Sequence, residues 1–286
     1  MKMILSIILL LAAVYFGVAI VLYFMQRRLT FHPMRDMPYN PANIGLEYEK
    51  VQLNTPDGLA LSAWYVPAKN ATATLLFCHA NGGNISYYMD TLDIFNKLGL
   101  NCLIFNYRGY GDSQGKITEE GIYLDAQTAY DWLRTEKRAS PEDIIIFGRS
   151  LGASVAAHLA KNVRPGGLVI ESGFTSYADI AQKFYPYIIV RPFAKYSLDT
   201  MEYIKKVKCP ILFIHSRSDE IVPFEFGLRL YSSANGNKEF VEIFGGHNDG
   251  FLYSGQIYRE GLKDWLEFVK EVGSIKLGVG SNEAKE

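Results

Sequence analysis

Cysteine is scarce: three residues, an odd number, in a chain of 286. Cys78, Cys102 and Cys209 each sit in or beside an apolar run without metal-ligand spacing, so they read as small core residues rather than as a cysteine-built metal site. An excess of one charge is missing too. With 29 Lys+Arg against 30 Asp+Glu the formal net charge is −1, which gives nucleic acid nothing strong to adhere to. No low-complexity linker or internal repeat divides the chain, and its length suits one α/β core of about 250 residues with an appendage.

The appendage is where charge vanishes entirely, from Ile4 to Met25. About 22 residues at 1.5 Å each give roughly 33 Å of helix, enough to cross a hydrocarbon core of about 30 Å. A cleaved signal peptide would carry about 7–15 apolar residues and end at a small-residue site, whereas this run continues into Val21-Leu22-Tyr23-Phe24. Residues 1–28 are therefore expected to form one N-terminal transmembrane helix, a single-pass anchor with Tyr23 and Phe24 near the lipid-water boundary. Arg27, Arg28 and Arg35 narrowly outnumber Lys2 and the terminal amine, which leans towards a cytoplasmic side for the remainder without settling it. Residues 29–43, with Pro33, Pro38 and Pro41, are expected to be an extended tether reaching under roughly 50 Å.

Chemistry enters at Gly148-Arg149-Ser150-Leu151-Gly152, a G-x-S-x-G box between the apolar run Ile144-Ile145-Ile146 and the helix-forming Ala153-Ser154-Val155-Ala156-Ala157. A serine on so sharp a strand-to-helix turn is held above the sheet by a strained backbone, and small neighbours let strand and helix close on it. Ser150 is the candidate nucleophile; the bland alternative is a serine that merely N-caps the helix. A hydroxyl attacks an acyl carbon only with a base beside it and a third group to orient that base. Both follow, in the order Ser, acid, His. After Pro210-Ile211-Leu212-Phe213-Ile214-His215 comes Asp219, the candidate orienting acid, with Glu220 beside it as a rival. After Phe240-Val241-Glu242-Ile243-Phe244 the Gly245-Gly246 hinge delivers His247, the candidate general base. Of the five histidines, His32 falls in the tether, His158 on an apolar helix face, and His215 where it supports the acid loop.

An oxyanion needs backbone donors. Leu151, after the nucleophile, supplies one N–H, and the loop after Thr74-Leu75-Leu76-Phe77-Cys78 supplies another, assigned to Asn81 in His79-Ala80-Asn81-Gly82-Gly83-Asn84. The same loop also fits an ordinary glycine turn that opens a helix at Asn84 and holds a phosphate. Elsewhere, Leu46–Leu53 and Leu59–Val66 flank the turn Pro56-Asp57-Gly58 as an opening hairpin, and short apolar runs then alternate with helical periodicity over 84–98 and 118–137. The fold class is α/β: a mostly parallel sheet with helices on both faces, bearing Asn81, Ser150, Asp219 and His247 at the carboxyl ends of its strands.

Taken together, His79-Ala80-Asn81-Gly82-Gly83-Asn84, Asn106-Tyr107-Arg108-Gly109-Tyr110-Gly111-Asp112-Ser113, Gly148-Arg149-Ser150-Leu151-Gly152, Glu171-Ser172-Gly173-Phe174-Thr175-Ser176, Asp219-Glu220-Ile221-Val222-Pro223 and Gly246-His247 resemble the α/β-hydrolase superfamily. Within it they are similar to the Bem46-like serine hydrolases, a branch that includes protein depalmitoylases. The resemblance covers roughly residues 45–270; order and spacing carry it. One departure is Ala80, where the family commonly has glycine. It implies an α/β-hydrolase domain over 44–272, a short cap at about 173–205, and a polar tail over 273–286. The cap segment Phe184-Tyr185-Pro186-Tyr187-Ile188-Ile189-Val190-Arg191-Pro192-Phe193 is rich in aromatics and proline, and Tyr187 and Phe193 are its candidate substrate-binding residues, an apolar wall for an acyl chain.

The expected activity is ester or thioester cleavage through an acyl-enzyme, without metal or organic cofactor, on acyl substrates held at the bilayer, and without nucleic acid as a partner. A peptidase or amidase would use the same three side chains, and a non-catalytic binding scaffold would keep the fold alone. Arg108 and Arg149 are left with two readings each: bracing the structure or touching the site.

Overall fold

The computed structural model describes residues 1–280, with side chains to residue 272. Eight strands form one sheet: β1 Glu49–Asn54, β2 Ala60–Val66, β3 Ala73–Cys78, β4 Leu100–Phe105, β5 Ile144–Arg149, β6 Gly167–Glu171, β7 Ile211–Ser216 and β8 Lys238–Ile243. Their order across the sheet is β8-β7-β6-β5-β3-β4-β2-β1. Strand β2 runs antiparallel to β1 and β4, and every other neighbouring pair is parallel. The expected hairpin thus supplies the antiparallel edge of a parallel sheet.

Because the parallel strands are covered on both sides, they lack polar alternation. Leu76, Leu103, Ile146 and Phe213 face one layer, with α3 Glu119–Thr135 and α4 Leu151–Ala160. Leu75, Phe77, Ile145 and Phe147 face the other, with α2 Met89–Lys97 and Trp265 of the long helix Gly255–Gly280. The helix expected from Asn84 is shorter. Asn84 Oδ1 accepts the Ser86 N–H at 2.9 Å and Asn106 Oδ1 accepts that of Ile85 at 3.0 Å, so a 3₁₀ turn at Ile85–Tyr87 precedes α2. Arg108 braces the frame: it bonds Asp125 of α3 at 2.7 Å and Asp57 of the hairpin turn at 2.8 Å. Of the tail expected over 273–286, residues 273–280 continue the helix Gly255–Gly280 and 281–286 lie outside the described residues.

At the N-terminus, α1 Lys2–Thr30 has no buried residue and is long and apolar enough to cross a membrane. The tether expected over 29–43 is not free chain. Helix α1 continues through Thr30, Phe31 is buried in the core, and His32–Pro33 pair with Gly82–Gly83. Arg35 Nη1 donates to the carbonyls of Gly111 and Ser113 at 3.0 and 2.7 Å, and Asn84 Nδ2 donates to those of Met34 and Asp36 at 3.1 and 2.7 Å. Pro41 opens a 3₁₀ turn at Pro41–Ile44 instead of prolonging an extended chain, and the Met34 and Asp36 carbonyls find donors on the domain instead of water.

Candidate active site

Ser150 stands between β5 and α4 with φ 54° and ψ −114°, a conformation that costs a non-glycine residue on the order of 1–3 kcal/mol. Two glycines make room for it. A Cβ on Gly148 would run into the Gly152 carbonyl and the Ala156 side chain, and one on Gly152 would run into the Cys78 carbonyl at the end of β3. Ser150 N–H donates to the Glu171 carbonyl of β6 at 2.9 Å, tying the turn to the neighbouring strand. Although it occupies the N-cap position of α4, its side chain makes no capping bond. The hydroxyl is turned elsewhere.

It lies 3.0 Å from His247 Nε2. On the other side of the ring, His247 Nδ1 is 2.7 Å from Asp219 Oδ2. All three side chains are buried. Asp219 Oδ1 accepts the N–H groups of Ile221 and Val222 at 2.9 and 2.7 Å, which leaves Oδ2 for the imidazole. Burial pushes the Asp219 carboxyl up, but the hydrogen bond and charge of His247, together with the Val222 N–H, outweigh it and hold the group below its ordinary value. Glu220, the rival acid, serves differently: its Oε2 accepts the His247 backbone N–H at 3.0 Å. Asp249 closes the same turn by accepting the Gly246 N–H at 2.7 Å. His215 lies beneath, with Nε2 2.9 Å from the Val222 carbonyl and 3.6 Å from Asp219 Oδ2.

Leu151 and Asn81 line the same cavity as Ser150 and His247. The neighbouring Ala80 N–H is taken by the Tyr88 hydroxyl at 3.0 Å. The Asn81 side chain is itself clamped: Oδ1 accepts from the His32 N–H at 3.2 Å and from Tyr110 Oη at 3.0 Å, while Nδ2 donates to the Thr30 carbonyl at the end of α1. Tyr110 had no assigned role in the sequence, because nothing local to the Tyr107–Gly111 loop announces a partner 29 residues away.

Arg149 does not line the cavity. It is buried with Nε 2.7 Å from Glu171 Oε1 and its guanidinium 4.2 Å from the centre of the Phe251 ring, and Tyr258 donates to the same carboxylate at 2.8 Å. It braces the strand that ends in the serine. Among the described residues, no group of three His, Cys, Asp or Glu side chains is placed to hold a metal ion.

The cavity measures about 660 Å³, within the usual range for small-molecule sites. Between β6 and β7 the chain forms α5 Tyr177–Phe184, a 3₁₀ turn at Arg191–Phe193 and α6 Thr200–Ile204. The Glu119 carboxylate pins this cap by accepting the Ser197 and Leu198 N–H groups at 2.7 and 2.8 Å. Of the two substrate-contact candidates, Phe193 lines the cavity and Tyr187 does not. Tyr187 is 90% exposed, because the chain turns after Tyr185 and directs Ile188 and Ile189 to the cavity instead. Sequence reasoning missed the opposite wall altogether: Ala19, Leu22, Tyr23 and Gln26 of α1 line it.

His79 sits behind the Asn81 loop, its ring centroid 4.4 Å from that of Tyr107, with Nδ1 donating to the Ala80 carbonyl at 2.6 Å. Burial pushes this imidazole down to about 4 from 6.5. Between those values the unfolded chain takes up a proton that the native protein refuses, so stability falls as pH drops through that window. The expected loss is about 3 kcal/mol by the lower end. Urea unfolding of wild type and His79→Gln at neutral and mildly acidic pH checks it: the variant should lose less stability on acidification, and equal losses would contradict the assignment.

A G-x-S-x-G turn on an eight-stranded, mostly parallel sheet with helices on both faces defines an α/β-hydrolase. A family model described as Chlamydia CHLPS protein (DUF818) matches residues 85–223. The chain is 32% identical over 278 residues to the α/β hydrolase domain-containing protein WAV2 of Arabidopsis thaliana, covering 88% of this chain and 90% of that one. It is 33% identical over 237 residues to protein bem46 of Schizosaccharomyces pombe, covering 79% of each. Among solved structures, the Pyrococcus furiosus esterase Pf2001 superposes with a TM-score of 0.68 at 24% identity, over 82% of this chain and 98% of that one. The chain belongs to the Bem46-like branch of the α/β-hydrolases.

Proposed function

We propose that this protein is a membrane-anchored serine hydrolase that cleaves carboxylic esters or thioesters. The observation that carries the reading is the continuous relay from Ser150 Oγ to His247 Nε2 at 3.0 Å and from Nδ1 to Asp219 at 2.7 Å. Oγ attacks the acyl carbonyl carbon while Nε2 takes its proton, and Asp219 stabilises the imidazolium that forms. The carbonyl oxygen becomes an oxyanion held by the Leu151 and Asn81 N–H groups. On collapse, the bond to the leaving oxygen or sulfur breaks and His247 returns the proton to it. Water then attacks the acyl-enzyme as His247 removes its proton, and the acid departs with Ser150 restored.

An apolar cavity walled by Phe193, with the uncharged stretch of α1 beside it, favours long acyl chains over short ones. A fluorophosphonate probe should label the wild type at Ser150 and leave Ser150→Ala unlabelled. On a panel of esters and thioesters, kcat/KM should rise with chain length. Labelling that persists in the variant would move the nucleophile elsewhere, and a panel without any turnover would remove the hydrolase reading.

A further inference from the structure

Helix α1 contributes more to this cavity than an anchor needs to. Ala19, Leu22, Tyr23, Gln26, Leu29 and Thr30 all line it, at the three- and four-residue spacing of a single helix face. The lower members lie inside the uncharged stretch: Ala19 is six residues before Met25, about 9 Å along the axis. The cap follows the helix to the same depth. Ile189 N–H donates to Tyr15 Oη at 3.1 Å, Gln26 Nε2 donates to the Phe193 carbonyl at 2.8 Å, and Gln26 Oε1 accepts the Lys195 N–H at 2.8 Å. Backbone groups at hydrocarbon depth need protein partners, since lipid supplies none. Tyr15 meets that need for Ile189, and Gln26 continues the seam to the charged end of α1.

The rim of the cap has the matching composition. Phe184, Tyr187, Ile189 and Phe193 are exposed, an apolar patch that is costly in water and at home in lipid. At the upper edge, Lys195 Nζ lies 4.2 Å from the centre of the Tyr23 ring, next to Arg27 and Arg28, where cations and aromatic rings suit the headgroup layer. Tyr187, exposed and turned away from the cavity, belongs to this patch.

We propose that α1 and the cap frame a lateral portal, through which the acyl chain of a leaflet-resident ester or thioester slides onto Ala19 and Leu22 and brings its carbonyl to Ser150 without passing through water. The portal rests on the hydrolase reading above and adds the route and the chain-binding wall. Each methylene the wall buries is worth about fourfold in affinity, so filling the wall's deep end, which denies a chain two or more methylenes, lowers the preference for long chains by at least about tenfold.

The test uses the full chain in phosphatidylcholine vesicles. Rates are measured on palmitoyl ester and palmitoyl thioester probes embedded in the bilayer and on a water-soluble butyryl ester. Leu22→Trp should lower the palmitoyl-to-butyryl rate ratio at least tenfold, whereas Val21→Trp, on the exposed opposite face, should leave it unchanged. In Ser150→Ala, a palmitoyl ester with a photoreactive group at the chain end should crosslink to α1 near Ala19. A ratio unmoved by Leu22→Trp, or crosslinks confined to the sheet, would overturn the portal while the hydrolase reading stands. A wild type that cleaves none of the probes would overturn the hydrolase reading, and the crosslinking pattern would still report on the portal. The ester and thioester arms separate oxygen from sulfur leaving groups.

Discussion

Ser150→Ala is expected to lower kcat/KM by about 10⁴- to 10⁶-fold, because a residual rate from oxyanion donors and binding is all that survives loss of the nucleophile. His247→Ala should fall as far, and the double variant no further, since the two act as one unit. Asp219→Asn is the more informative change. Its carbonyl oxygen can still accept the Ile221 and Val222 N–H groups, so the loop keeps its shape. Its amide then points a donor at His247 Nδ1 and forces the ring proton onto Nε2, which can no longer receive one from Ser150. A loss on the order of 10⁴ in kcat with an unchanged melting temperature is the expected signature. Steady-state kinetics and thermal unfolding on the same preparations decide it. Retention of a tenth of wild-type activity by Ser150→Ala would end the proposed mechanism.

Arg149→Ala should produce the largest loss of stability. Removing it strands the Glu171 carboxylate in the interior with Tyr258 as its remaining side-chain donor, and breaking a buried pair in this way costs about 3–5 kcal/mol. At roughly 2–4 °C per kcal/mol for a domain of this size, the melting temperature should drop by about 10 °C. Arg149→Met combined with Glu171→Gln should lose much less, because no net charge is left unpaired. Equal destabilisation by the single and double variants would show that packing against Phe251, rather than charge pairing, is what Arg149 supplies.

How the chain disclosed these features differs from element to element. The glycines flanking Ser150, the strand-end positions of Asp219 and His247 and the hairpin were legible, because each is a local pattern with one steric meaning. Glu220 and Asp219 were harder to separate, since adjacent carboxylates in one loop differ only in where the backbone turns them. The 29–43 segment misled for a physical reason: proline fixes extension but says nothing of what the freed carbonyls bond to. Helix α1 was opaque in a third way. Uniform hydropathy hides which face meets lipid and which meets protein. The one hint was the stripe Tyr15, Ala19, Gln26 and Thr30, small or polar residues that share a helix face with Leu22.

The Asn81 side chain, gripped at once by Thr30, His32 and Tyr110, makes the last turn of α1 part of the catalytic loop's scaffolding. A tilt of that helix would reach Asn81 through these hydrogen bonds. Detergent extraction, which lets the helix relax, should therefore throttle turnover even of esters small enough to diffuse in freely. With α1 in the bilayer, as proposed, membrane thickness would act on the rate through the same lever.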